Sequence, residues 1–277
     1  MGAEGGAGVW GRGMGAAAAQ AAVRVVRCRG LPVLRMLRLE EALLRKGSGC
    51  WALVNDGAPE PTVVLGISGK PREMLEEAAV AAAGVRVLRR FSGGGTVVAD
   101  ADTVFVSLIM DQAAVASVPA FPRPLMEWSE GMYRPLFGPH APAGAPFSLT
   151  ETDYVYGRRK FGGNAQAITR GRWCHHTSFL WDYRLELMRL LKYPPKTPEY
   201  RRGRAHRDFV GRLRDVLPSR QTLVDGGPWA LEQAGFRLEE VRLEEAEALL
   251  DLPHLRSTRE LEAVVRGDEG VAYEKMK

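Results

Sequence analysis

Long apolar runs are missing from this 277-residue sequence: Lys, Arg, Asp, Glu, Gly or Pro interrupts every candidate before the roughly 20 residues a membrane span needs, so no membrane partner is expected. Cysteine is scarce. Cys28, Cys50 and Cys174 are odd in number and far apart, which argues against a disulfide framework and for a reducing compartment. Metal-ligand pairs are scarce too: Cys174-His175-His176 has no second Cys or His pair at a zinc-site spacing, so no protein-held metal site is expected. A global field is also lacking. The formal charge of +5 lies wholly in residues 1–39, where Arg12, Arg24, Arg27, Arg29, Arg35 and Arg38 face only Glu4. The remainder is neutral, so no nucleic-acid partner is expected.

Residues 1–30 are rich in Gly, Ala and Arg, poor in acids and without an apolar signal-peptide stretch. They read as a leader, either an organelle transit peptide or a low-complexity segment. From residue 31 the chain reads as one domain running to 277. Helical spacing of Val33, Leu34, Leu37 and Leu44 predicts a helix over 31–46 that stops at Gly47. Trp51–Asn55 and Thr62–Ile67 read as two strands joined as a hairpin through Asp56-Gly57-Ala58-Pro59. Pro71 opens a predicted helix that reaches Ala83, and 85–90 and 103–110 read as strands. A helix is expected over 122–137 and three successive strands over 153–157, 160–169 and 172–180. Residues 191–277 read as a helical C-terminal part, with helices over 198–216 and 238–251, and without a separate full accessory domain. Strands in adjacent runs indicate an α+β fold: a mixed, largely antiparallel sheet with flanking helices.

Two stretches carry chemistry. In Arg89-Arg90-Phe91-Ser92-Gly93-Gly94-Gly95-Thr96, consecutive glycines leave backbone N–H groups unshielded beside paired guanidinium groups, which suits an anion. Its spacing is neither that of a P-loop nor that of a dinucleotide-binding fingerprint. In Gly157-Arg158-Arg159-Lys160-Phe161-Gly162-Gly163-Asn164, a lysine sits inside a strand beside paired glycines, placed to donate to a carbonyl or a developing phosphate charge. A solvated loop and an edge-strand lysine are the alternatives.

Together with Thr152-Asp153 and His175-His176-Thr177-Ser178, in that order, these stretches resemble the lipoate-protein ligase A family of the biotin and lipoate ligase superfamily. The motif core spans about residues 31–190, and Tyr193-Pro194-Pro195-Lys196 is similar to plant and algal members. The resemblance implies a biotin/lipoate ligase catalytic-domain fold, related to class II synthetases. It implies ATP-dependent formation of lipoyl-AMP, with Mg²⁺, and transfer of the lipoyl group to a lysine. Lys160 would be catalytic. Arg90, Ser92, Gly93, Gly94, Gly95, Thr96, Val97, Val98, Asp153, Asn164 and His176 would hold ATP or lipoyl-AMP. Partners would be the lipoyl domains of 2-oxoacid dehydrogenase E2 subunits and the glycine-cleavage H protein, with an accessory subunit as a further partner, and the location mitochondrial, with plastid or cytoplasm as the alternative. Where the family carries His-Asp-x-Gly-Asn, this chain has Ala99-Asp100-Ala101-Asp102-Thr103, so that histidine has no counterpart.

Two other functions compete. An ATP-independent octanoyl or lipoyl transferase would need an activated thiolate, for which Cys174 beside His175 is the candidate. A non-catalytic subunit of a two-protein ligase would need no anion cradle. Arg201, Arg202, Arg204 and Arg207 read either as a docking patch for acidic lipoyl domains or as a solvated helical face.

Overall fold

The computed structural model describes residues 21–193, 197–265 and 271–275. The chain runs β1 (Ala22–Arg29), α1 (Val33–Lys46), β2 (Cys50–Asp56), β3 (Thr62–Leu65), α2 (Pro71–Met74), α3 (Glu77–Ala82) and β4 (Arg86–Arg89). β5 (Gly93–Gly94), β6 (Val97–Ala99) and β7 (Thr103–Asp111) lead to α4 (Pro122–Phe137), followed by β8 (Phe147–Thr150), β9 (Asp153–Tyr156), β10 (Arg159–Thr169) and β11 (Arg172–Leu180). Then come α5 (Leu185–Met188), α6 (His206–Phe209), α7 (Arg220–Gln233), β12 (Arg237–Glu240), α8 (Leu243–Glu247), β13 (Arg259–Val265) and β14 (Val271–Lys275).

A nine-stranded sheet has the order β12-β1-β2-β7-β11-β10-β9-β8, with β5 paired to β10, and a five-stranded sheet has the order β14-β13-β4-β3-β6. β1 is parallel to β12 and β2, and β3 to β4; the other pairings are antiparallel, as the α+β reading expects. Strand alternation divides the large sheet into two faces. Val104, Val106, Leu108 and Met110 of β7 and Trp173 and Phe179 of β11 enter the core shared with α4 and α7. Phe105, Ile109 and Cys174 enter the opposite core, shared with α1 and with Val64 and Leu88 of the small sheet.

Several elements differ from expectation, each for a local reason. The predicted hairpin is absent because β2 and β3 belong to different sheets. Both strands are buried on both sides, which separate layers can satisfy and a surface hairpin cannot. The helix expected over 71–83 breaks at Leu75, which bridges Leu191, and at Glu76, whose N–H donates to the Leu190 carbonyl (2.9 Å). The helix expected over 198–216 is interrupted where Arg202 and Gly203 turn left-handed (φ 48° and 71°). Only the short α6 survives there. The C-terminal part is less helical than expected: β12 borders the large sheet, and β13 and β14 extend the small one.

The leader boundary also moves. Residues 1–20 lie outside the described residues, but Ala22–Arg29, expected in the leader, form β1 between β12 and β2. Val23, Val25 and Val26 are 0% exposed. Burying such side chains contributes about 1.5–3 kcal/mol each, so a chain beginning at Gly30 is expected to lose its cooperative thermal transition. A chain beginning at Ala21 is expected to melt as the full chain does, which differential scanning calorimetry checks.

His175 shows what alternation does to a polar residue. It is 0% exposed and faces α4, where its Nε2 lies 3.2 Å from Ser129 Oγ while Gln166 Nε2 donates to its Nδ1 (2.9 Å). Burial, with the neighbouring His176 adding to it, pushes its pKa from 6.5 down to about 3. The unfolded imidazole therefore binds a proton that the folded one refuses, so this contribution to stability is whole above about pH 6.5 and is lost as pH falls toward 3. His175→Asn is expected to flatten the acid limb of a stability-against-pH curve, by up to about 1.4 kcal/mol per pH unit. Denaturant melts of both proteins between pH 4 and 7, taken at roughly half-unit steps, check it.

Candidate functional site

A cavity of about 420 Å³ lies between the α1-facing side of the large sheet and the small sheet. Val33 and Leu37 of α1, Val64 of β3, Val97 of β6 and Phe105 of β7 give it an apolar wall. Lys160, Asp153, Thr152 and Arg201 give it a polar one. Of the residues expected to bind or react, Lys160, Arg90, Gly94, Gly95, Thr96, Val97, Val98, Asp153, Asn164 and His176 all border this one space. Ser92 and Gly93 do not. Ser92 is 1% exposed with a hydroxyl that has no partner, and Gly93 pairs with Gln166 in the sheet.

Lys160 reaches the cavity through a defect in β10. Pairing with β9 runs Lys160 to Val155 but Gly162 to Tyr154, a bulge that spends one extra residue. Phe161 joins the α4-side core, and Lys160 and Gly163 are brought onto the cavity side. A Cβ on Gly163 would lie 3.1 Å from Lys160 Nζ, so Gly163 leaves room for the lysine, while Gly162 leaves room for the Tyr154 and Phe179 rings on the other face. The ammonium is held 2.8 Å from Asp153 Oδ1, and Tyr200 donates its hydroxyl to Asp153 Oδ2 at 2.8 Å. Burial first, then Asp153, pushes the Tyr200 phenol far up, so it stays a donor.

The glycine loop is shaped by Arg90, whose part differs from the expected direct phosphate contact. Arg90 is 3% exposed and its Nη2 donates to the carbonyls of Gly95 (2.8 Å) and Gly93 (3.4 Å). In a trans peptide N–H opposes C=O, so drawing the Gly95 carbonyl toward Arg90 turns the Thr96 N–H the other way. Arg90 thus positions the backbone. Gly94 must be glycine: its φ is 125°, and a Cβ there would meet Arg90 Nη2 at 2.6 Å and the Asn164 carbonyl at 2.9 Å. Burial lowers the Arg90 pKa to about 10, partly offset by Glu40, so it stays charged at neutral pH.

Asn164 borders the cavity, but its amide is committed to the sheet. Its Nδ2 donates to the Thr152 carbonyl (3.1 Å) and its Oδ1 accepts from Thr177 (2.7 Å). His176 has a partner that sequence reasoning missed. Glu40 of α1, 0% exposed, accepts from Ser107 Oγ at 2.6 Å and faces His176 Nδ1 at 2.8 Å. A carboxylate there places a proton on Nδ1. The signal was present: Glu40 sits three residues after Leu37 and four before Leu44, on the apolar stripe of a helix.

The cysteines do not support a thiolate. All three are free and buried; burial raises Cys28 and Cys50 to about 11 and Cys174 well above its ordinary value. The arginine patch is not assembled either. Arg201 is 3% exposed, and Arg204 donates to the carbonyls of Tyr200, Arg201, Arg158 and Asp208, so both brace the chain internally. Among the described residues no group of three or more His, Cys, Asp and Glu is placed to hold a metal. The carboxylates bordering the polar wall, Glu151 and Asp153, are both engaged by Tyr200.

A family model for the lipoyl protein ligase A/B catalytic domain matches residues 33–225. The inactive lipoate–protein ligase 2 of Plasmodium falciparum is 28% identical over 208 residues, covering 64% of this chain and 53% of that protein. The chain thus spans about half the length of this curated relative. Among solved structures, the bi-partite lipoate protein ligase of Thermoplasma acidophilum, studied with its E2 lipoyl domain, superposes with a TM-score of 0.66 at 19% identity, covering 83% of this chain and 91% of that one. Lipoate-protein ligase A bound with ATP gives 0.64 at 18% identity, covering 83% and 92%. These identities establish the fold, and the family match establishes membership: the chain belongs to the lipoyl protein ligase A/B catalytic domain family.

Proposed function

We propose that this chain activates a medium-length acyl carboxylate, lipoate or octanoate, with ATP and transfers the acyl group to a lysine of a lipoyl-domain protein. One observation carries the reading: a single cavity joins an apolar wall under α1 to the Lys160 ammonium and the Gly94–Thr96 backbone. An aliphatic acid fits such a space, its tail against Val33, Leu37 and Phe105 and its carboxylate toward Lys160. Attack of that carboxylate on the α-phosphate of ATP forms a mixed anhydride and releases pyrophosphate. The acceptor amine, once deprotonated, attacks the acyl carbon and AMP departs. Lys160 meets the negative charge that builds on the acyl and phosphate oxygens, where a preorganised cation is most effective. Mg²⁺ would accompany the nucleotide and would offset the negative charge of its phosphates.

Lipoyl domains of 2-oxoacid dehydrogenase E2 subunits and the glycine-cleavage H protein are the proposed acceptors. The solved Thermoplasma ligase, studied with an E2 lipoyl domain, supports that class. A thioester route has less support, because all three thiols are buried and held protonated. A supporting-subunit reading draws on the inactive Plasmodium relative and the bi-partite archaeal ligase.

The purified chain is to be incubated with lipoate, Mg²⁺ and an acidic lipoyl-domain acceptor, with and without ATP, and the acceptor weighed by mass spectrometry. A lipoyl mass gained only with ATP is expected. No gain, even from supplied lipoyl-AMP, would overturn the reading. Lys160→Ala is expected to lower transfer by about 10²-fold or more. Gly163→Val, which places methyl groups where Lys160 Nζ runs, is expected to lower it in the same direction by up to about 10²-fold. Single-turnover transfer from supplied lipoyl-AMP measures both, and wild-type rates in both folded variants would remove Lys160 from the site.

A further inference from the structure

The cations of the cavity differ in what they have left to offer. Lys160 is paired with Asp153, Arg90 is committed to loop carbonyls, and Lys192 donates to the Arg72 carbonyl at 2.9 Å. Arg201 differs from Arg90 at its terminal nitrogens: both Arg90 Nη atoms donate to carbonyls and only its Nε is unmet, whereas Arg201 Nη2 has no acceptor. Arg201 is 3% exposed, borders the cavity and pairs with no carboxylate among the described residues. Its Nε donates to the Arg204 carbonyl (3.0 Å), its guanidinium lies over Tyr193 (4.3 Å) and Phe209 (4.9 Å), and its Nη2 has no acceptor. Two aromatic faces fix the plane of the fork at the border of the cavity, with Nη2 itself buried.

A buried guanidinium without a counter-charge is costly, and an unmet donor on it adds to that cost. The surroundings do not relieve it: burial lowers the Arg201 pKa, Arg204 lowers it further, and only the Tyr193 and Tyr200 hydroxyls act the other way. A bound anion would. Of the two anions that the proposed reaction brings here, the acyl carboxylate loses its charge on activation, whereas the phosphate keeps its charge through both half-reactions. A fixed buried cation suits the group whose charge persists.

We propose that Arg201 is the phosphate anchor of the nucleotide half of the site, holding the phosphate of AMP and of the acyl-adenylate. The role expected of Arg90 thereby passes to a residue outside the glycine motif. This inference rests on the nucleotide-using reading of the cavity.

Calorimetric titration of the full chain and of Arg201→Gln with AMP and with adenosine tests it. The wild type is expected to bind AMP about tenfold or more tightly than adenosine, a preference that one charge-assisted fork typically supplies. Arg201→Gln is expected to lose that preference while its adenosine affinity stays unchanged. Arg201→Lys should keep part of it, because it restores the charge and not the fork. If Arg201→Gln does not fold, the Arg201 Nε–H signal in nitrogen-resolved NMR of the wild type, assigned by its absence from Arg201→Lys, is expected to shift with AMP and not with adenosine. A folded Arg201→Gln that keeps the AMP preference overturns the proposal. So does a variant that loses discrimination between octanoate and octanol instead, since the anchor would then serve the carboxylate. A wild type that binds AMP no better than adenosine also overturns it, and lipoyl transfer from supplied lipoyl-AMP in that protein would leave the acyl-transfer reading standing.

Discussion

The one-residue bulge in β10 between Lys160 and Gly162 is the constraint on which the site depends. Without it, alternation would continue through Phe161 and set Gly163 and Lys160 on opposite sides of the sheet. With it, Phe161 fills the aromatic core around Tyr156 (ring centroids 4.6 Å apart) while Lys160 enters the cavity. Gly211 N–H closes on the Lys160 carbonyl at 2.7 Å, so the irregular backbone is fixed by the segment that follows α6. Packing on one face and chemistry on the other are set by the same extra residue.

The polar groups of the cavity are held in place before any ligand arrives. Asp153 orients Lys160 and is itself held by Tyr200; Glu40 orients His176 and is held by Ser107. Both carboxylates are almost wholly buried, and such groups persist only when paired or hydrogen-bonded. Oriented donors act strongly on charge that develops beside them, because little must reorganise. Glu40 keeps one oxygen, Oε2, buried without a partner.

Much of this was legible in the residues. Gly94 and Gly95 of the triple glycine, Lys160 with Gly163, and His176 of the His-His pair line one cavity, and their motifs were legible because backbone freedom and charge are local properties. Direction was not legible. Arg90 adjoins the glycines in sequence whether it faces a ligand or their carbonyls, and only the turn at Gly94 decides. Arg201 looked like surface charge because the aromatic rings that enclose it, Tyr193 and Phe209, are eight residues away on either side. β1 was hidden for a compositional reason. Its arginines, Arg24, Arg27 and Arg29, together with the Gly- and Ala-rich residues before it, give the composition of a leader, while the Val23, Val25 and Val26 core is short. The β2 and β3 assignment failed because a turn-forming run marks where a chain bends and not which sheet receives it.

The central claim is that one cavity takes an aliphatic acid with its tail against α1 and its head at Lys160. A crystal structure of the chain with octanoate tests it most directly. The account predicts a carboxylate oxygen within hydrogen-bonding distance of Lys160 Nζ and a chain lying along Val33, Leu37 and Phe105. Octanoate found reversed in that cavity, or seated in the separate pocket lined by Arg38, Arg86 and Arg256, would contradict it.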